Sequence, residues 1–332
     1  MKNILYTVIC LLLFGLITRC DSIHESPDEN GINPTLVSVN LDYFFKDTDI
    51  GIHTHSKKSG LATPNFFNTH LLRYTVEIYT GNSASPLHRY VYTSEQLKNG
   101  EIVLNLNLQA AKYTVLTWVD YVDKTEKCDL HYDTNCLKNL RVKTPYNGNY
   151  HTKDAFAAKH VLDLTSYGNN FFTEINNTIE LERALSSFMI VATDMKEYVD
   201  EKNSMAITNC LPEKVEFDYH PSLLVEYDIS GENSCVFSDQ ESFNGDISDH
   251  TDESCVIAYD YVLMNEETSN IEVSFNIYDS NNEIINRVKN LKIPLKRNAC
   301  TMVYLSCLIP KDGQGGIGID DAFDDEIEII IP

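Results

Sequence analysis

The strongest constraint on this chain is a two-residue period in its hydrophobicity that recurs from end to end. Val37, Val39, Leu41 and Tyr43 alternate with Ser38, Asn40 and Asp42, while Tyr74, Val76 and Ile78 alternate with Thr75 and Glu77. Ile102, Leu104, Leu106 and Leu108 form a third set, with Asn105 and Asn107 opposite. Successive strand side chains point to opposite faces, so these runs predict strands with one buried face. Residues 113–121 are apolar on both sides at several points, which predicts a central strand with Trp118 in the core. Further strand-like runs follow at 215–219, 223–229, 256–264, 271–278, 284–295, 301–309 and Ile327–Ile331. Helical periodicity is sparse and confined to 94–97 and 154–160. Many short strands separated by turn signals predict an all-β fold built of sandwiches.

A length of 332 residues suits two such domains. Their expected extents are 34–204 and 205–332, divided at the polar stretch around 200–204. The halves look loosely alike, each with a strand, a polar turn and a strand: 76–92 in the first and 273–288 in the second. Residues 232–254 are acidic and rich in Ser, Asn and Gly, and read as a long surface loop.

The N-terminus points to export. Met1-Lys2-Asn3 is followed by an apolar run from Ile4 to Ile17, too short for a comfortable membrane span and suited to a signal peptide over residues 1–19. Cys20 follows directly, and residues 16–20 resemble a lipoprotein cleavage box, except that Arg19 stands where a small residue is usual. Cys20 is therefore the candidate lipidation site. Residues 20–33 read as an acidic tether. Seven cysteines remain besides Cys10 and Cys20; Cys128 and Cys136 lie in one loop-like stretch and are a candidate disulfide.

The charge balance of 26 basic against 49 acidic residues gives a net −23 and no basic stripe, which argues against nucleic acid as a partner. No catalytic motif stands out, so no enzyme, cofactor or metal is expected. The letters of Gly313, Gly315 and Gly318 fit a dinucleotide fingerprint, but too little chain follows for the required helix and strand. His53 and His55 lack an evident third ligand, and the acidic residues around 320–328 lack the spacing of an EF-hand.

Several stretches taken in order resemble the fimbrillin-like lipoproteins of Bacteroidales, which include fimbrial shaft, tip and anchor subunits. They are the exported Cys20 with its tether, residues 73–79, 112–121, 131–142, 177–193 and 294–298, and the Gly-rich 315–321. The resemblance implies two tandem transthyretin-like β-sandwiches and an acylated (palmitate-bearing) protein at the outer membrane, on the cell surface. It implies a structural and adhesive role, with other fimbrial subunits and host or bacterial surface ligands as partners. It also implies assembly by strand exchange after a protease removes an N-terminal strand behind a basic residue. Residues 37–45 are the candidate removable strand, and Arg73, Lys58 and Lys57 the candidate cleavage points, with Arg73 foremost because a strand is expected to begin at Tyr74. The C-terminal Ile327–Ile331 reads equally as a donor strand or an ordinary edge strand. A surface glycan-binding lipoprotein with tandem β-sandwiches is the alternative.

Overall fold

The alternating runs become strands. The computed structural model describes residues 33–45, 68–96, 103–170, 173–221, 223–247, 250–309 and 327–331. Its first half holds β1 (Asn33–Phe45), β2 (His70–Thr80), β3 (His88–Thr93), β4 (Val103–Ala110), β5 (Lys112–Asp123), β6 (Tyr132–Asp133), β7 (Leu140–Val142), β8 (Phe156–Asp163) and β9 (Glu174–Arg183). The second holds β10 (Leu185–Ala192), the helix α1 (Met195–Ser204), β11 (Pro212–Tyr219), β12 (Leu224–Tyr227), β13 (Val236–Phe237), β14 (Glu241–Asp246), β15 (Cys255–Leu263), β16 (Thr268–Asp279), β17 (Ile284–Lys296), β18 (Cys300–Leu305) and β19 (Ile327–Ile331).

Seven strands run in the order β3-β2-β5-β8-β9-β1-β4. Only two residue pairs join β8 to β9, and the sheet turns over there, so that β9-β1-β4 faces β3-β2-β5-β8. One apolar core fills the space, with Val39, Leu106 and Leu181 from one side meeting Val76, Val115 and Phe156 from the other. In the second half β15-β10-β18-β19 faces β14-β11-β16-β17 over a core that includes Phe188, Phe217 and Phe275.

The two sandwiches share one topology. In each, the first strand lies between an antiparallel neighbour and a parallel one: β1 between β4 and β9, β10 between β15 and β18. The opposing sheets β3-β2-β5-β8 and β14-β11-β16-β17 correspond in order. The repeat is thus real but differs from the loose likeness of 76–92 to 273–288, because β2 and β3 match β11 and β14, while β16 and β17 match β5 and β8. Strand β10, expected in the first sandwich, hydrogen-bonds instead to β15 and β18 of the second.

An insertion between β5 and β8 binds the halves together. Its β6 and β7 join β12 and β13 in one four-stranded sheet, β13-β12-β7-β6. Asn149 docks on β15, its N–H donating to the Tyr259 carbonyl at 3.0 Å and its Oδ1 accepting from the Tyr259 N–H at 2.9 Å. Beneath this lies a buried ion pair, Lys153 Nζ to Asp260 Oδ1 at 2.6 Å, with side chains 2% and 0% exposed. Asp260 Oδ2 accepts from the hydroxyls of Tyr146 and Tyr219, both at 2.7 Å.

The insertion also covers the outer face of β2 and β5. The alternation predicts Thr75 and Glu77 to face solvent, yet both are fully buried. Glu77 is held there by Arg89, by the Tyr79 hydroxyl and by the Leu137 N–H. Residues 154–160, expected to be helical, lie largely in β8, where Phe156 and Ala158 point into the core. Among the described residues the α-helix is α1 instead, in the stretch expected to be a polar linker; only its Met195 and Tyr198 are buried, a stripe too narrow to announce itself. The expected loop 232–254 carries β13 and β14, and Phe243 and Ile247 are buried in the second core.

Two measurements test this seam. Asp260→Ala leaves Lys153 buried without its counter-charge and is expected to cost about 3–5 kcal/mol in denaturant unfolding, with Lys153→Met/Asp260→Leu recovering only part of the loss, because the Tyr146 and Tyr219 hydroxyls still lack their acceptor. Burial holds His131 down to about 3 against an ordinary 6.5, with Lys153, His70 and Lys143 adding repulsion. It holds His151, stacked on Tyr259 at 4.3 Å, down to about 4, with Asp154 opposing the shift. Both depressed values mean that the unfolded chain binds more protons below 6.5. Stability is therefore full above pH 6.5 and falls as pH drops towards 4, by about 1.4 kcal/mol per pH unit for each histidine. Unfolding at pH 7.5, 6.5 and 5.5 measures that slope, and His151→Phe, which keeps the ring stack, is expected to reduce it.

Candidate functional site

Strand β1 lies between β9 and β4, with a paired neighbour on each edge, although it comes first among the described strands. Val37, Val39 and Leu41 are each 0% exposed and pair across the ladder with Leu108, Leu106 and Leu104 of β4. Burying three such side chains contributes about 6 kcal/mol. On its other edge β1 runs parallel to β9, from Ser38 opposite Glu174 to Phe45 opposite Leu181. Asn40 donates to Glu174 Oε1 and Asn176 Oδ1, both at 2.8 Å. At the end of the strand the Phe45 ring meets Phe156 edge-on at 4.8 Å. The alternate side chains Leu36 and Phe44 point outward, 58% and 45% exposed.

Taking β1 away would leave a groove of defined chemistry. Its two rims would be the unpaired backbone groups of β4 and β9, and its floor the apolar side chains that Val37, Val39 and Leu41 now cover. Such a groove accepts another extended segment with apolar residues at every second position. The equivalent strand of the second sandwich is built differently: all eight residues of β10 are buried, and it follows β9 after a single residue, Ala184.

Arg73 is not where the sequence reading puts it. Strand β2 begins at His70, so Arg73 lies inside the ladder, opposite Thr93 of β3 and Asp120 of β5. It is 6% exposed. Its Nε and Nη2 donate to the two oxygens of Asp120 at 2.9 and 2.6 Å, and its Nη1 pairs with Asp129. Burial works against the charge, but Asp120 and Asp129 outweigh it and hold the guanidinium above its ordinary range. A protease needs an accessible segment free to enter its cleft, and the bond after Arg73 is buried and paired on both edges; the basic residue is a structural ion-pair partner. Lys57, Lys58 and Cys20 lie outside the described residues. Cys128 and Cys136 both carry free thiols, Cys128 exposed and Cys136 partly buried, and are not joined. Among the described residues no group of three or more His, Cys, Asp or Glu side chains is arranged to hold a metal ion.

With this geometry in hand, comparison with known proteins places the chain in a family but not in a characterised function. Residues 34–332 match the family described as a family of unknown function, DUF6562, and the chain belongs to it. The match begins at β1 and takes in both sandwiches. No curated protein matches the sequence. Among solved structures the chain is similar to the fimbrial anchor protein Mfa2 from Porphyromonas gingivalis, at 14% identity and a TM-score of 0.44, over 76% of this chain and 82% of that one. It is also similar to the tip fimbrial protein Mfa3 from the same organism, at 8% identity and a TM-score of 0.36, over 90% of this chain and 98% of that one. A fimbrial assembly protein from Parabacteroides distasonis aligns at 11% identity and a TM-score of 0.36, over 89% and 98% of the two chains.

The burial of Arg73 has a direct test. Brief trypsin treatment of the native protein is expected to leave the Arg73–Tyr74 bond intact, while the urea-unfolded protein is cut there. Peptide masses distinguish the two.

Proposed function

We propose that this chain is a structural and adhesive subunit of a cell-surface fimbrium, exported as a lipoprotein through Cys20 and assembled by β-strand exchange. The observation that carries the reading is β1: the first of the described strands, paired on each edge, buried on one face only, whose departure leaves a groove cut for another strand. The fimbrillin-like order of the sequence stretches and the signal-like N-terminus support the same reading, and the acidic balance keeps unassembled copies apart. A multiply acylated Cys20 would hold the chain at the outer membrane before assembly.

Of the three basic candidates, Lys57 and Lys58 fit this function better than Arg73. They lie between β1 and β2, so a cut there releases β1 whole, whereas a cut after Arg73 also removes the first four residues of β2 and two ion pairs. The unbound partner would present its own alternating strand to the groove, with backbone hydrogen bonds giving affinity and the Val37, Val39 and Leu41 positions giving register.

The test is the intact mass and N-terminal sequence of the protein taken from its native cell surface. Assembled, high-mass material is expected to begin after Lys57 or Lys58 and to lack β1. A surface protein that keeps residues 21–73 and stays monomeric would overturn the polymerising role.

A further inference from the structure

A cleft of about 480 Å³ opens at the seam between the two sandwiches. Three separate stretches wall it: the turn between β2 and β3 at residues 82–84, residues 138–139 just before β7, and the end of β12 with its following loop, residues 226–234. We propose that this cleft binds a neutral oligosaccharide.

The argument begins with which groups are already engaged. Asp228 is fully occupied within its own loop. It accepts from the backbone N–H groups of Ser230, Glu232 and Asn233 at 2.7, 3.0 and 2.7 Å, and from the Ser230 hydroxyl and the Asn233 amide, both at 2.8 Å. Burial alone would raise its pKa, but these donors outweigh it and hold the carboxylate below its usual range. Glu232 pairs with Lys138 at 2.9 Å across the cleft, and Lys138 also lies over the Tyr79 ring at 4.7 Å. Glu226 pairs with Arg141 at 3.0 Å. Lys159 donates to the Ser230 carbonyl and pins the loop to the first sandwich. The walls are therefore set before any ligand arrives, which lowers the ordering cost of binding.

What remains unengaged is neutral. The side-chain amides of Asn82 and Asn139 and the hydroxyls of Tyr227 and Ser234 make no hydrogen bond with the described residues. An amide offers a donor and an acceptor side by side, the match for two neighbouring sugar hydroxyls. Tyr227 packs against the seam cluster and adds a hydroxyl that can donate or accept. An anionic ligand would meet Glu226, Asp228 and Glu232 with the one lining cation already paired. A cation would find every lining carboxylate satisfied. An apolar ligand would leave the amides and hydroxyls dry and unpaired. The volume falls within the range of small-molecule sites and has room for a short oligosaccharide.

The inference goes beyond strand exchange and does not depend on it, since the cleft shares no residue with β1, β4 or β9. The test is a printed array of neutral, sialylated and sulfated oligosaccharides probed with the full-length protein, followed by titration calorimetry with the best neutral one. Neutral sugars are expected to bind and acidic ones not. Asn82→Ala/Asn139→Ala is expected to weaken binding at least tenfold at an unchanged melting temperature, and Tyr227→Phe several-fold. Absence of any neutral binder, a preference for acidic sugars, or neutral binding that survives both variants would overturn it. The mass and N-terminus of the assembled protein would be unchanged by any of these results, so the two readings fail separately.

Discussion

The arrangement of the molecule rests on satisfying one buried carboxylate. Asp260 lies on β15 with no exposure to water, and taking it and Lys153 out of water costs several kcal/mol per ion. That cost is offset only when its oxygens find all their donors. Oδ1 takes Lys153 Nζ and the Tyr261 N–H at 2.8 Å, and Oδ2 takes the Tyr146 and Tyr219 hydroxyls. Lys153 and Tyr146 come from the insertion of the first sandwich, Tyr219 from β11 and Tyr261 from β15. No half of the chain can complete this set alone, so the insertion either seats fully or leaves a charge unpaired. Packing reinforces the choice: a side chain added at Gly148 would fall 2.3 Å from the Phe243 ring, so the insertion passes where only glycine fits.

The same topology is used twice with opposite consequences. Strands β1 and β10 occupy equivalent places, yet β10 is buried on both faces and tied at its start to β9 by one residue. Such a strand cannot leave without opening the seam and the core together. Strand β1 is buried on one face, pairs its outward Asn40 with two polar side chains of β9, and is joined to β2 through residues 46–69. A duplicated fold thus carries one fixed first strand and one that is separable in principle. The second sandwich also has an extra strand, β19, added in parallel to β18. The matching edge of β9 pairs with β8 through Phe156 and Ala157 alone.

The strands with one wet face were legible because alternation is a direct image of their surroundings; β1, β4 and β16 follow it closely. The failures have a common cause, which is burial by distant parts of the chain. Thr75 and Glu77 read as a solvent face, because nothing local says that residues 124–155 will cover them and bring the Leu137 N–H to Glu77, beside Tyr79 of the same strand and Arg89 of β3. Residues 154–160 are Ala-rich and read as helix, but β5 offers eight ladder pairs from Lys112 to Val119, and tertiary pairing overrides local propensity. Arg73 read as an exposed basic residue before a strand. Its two carboxylate partners lie 47 and 56 residues away, beyond any local pattern. The cleft at the seam left no periodic signal at all, since its walls come from three short stretches far apart in the sequence.

Strand exchange demands that a subunit survive the loss of a strand paired on each edge, and the division of the cores explains how this one would. The apolar cluster around β1 and the larger cluster at the seam contain no residue in common. They meet at β2 and β5, which send alternate side chains to each: Val76 and Ile78 to the first, Tyr79 to the second, Val115 and Val119 to the first, Leu116 and Trp118 to the second. Losing β1 therefore uncovers only the first cluster. The ion pairs of Arg73, Glu77 and Lys153 lie on the far side of the sheet and keep their partners. The opened sandwich would remain attached to a folded neighbour through contacts that the departing strand never touched, and its groove would be held to shape until another strand filled it.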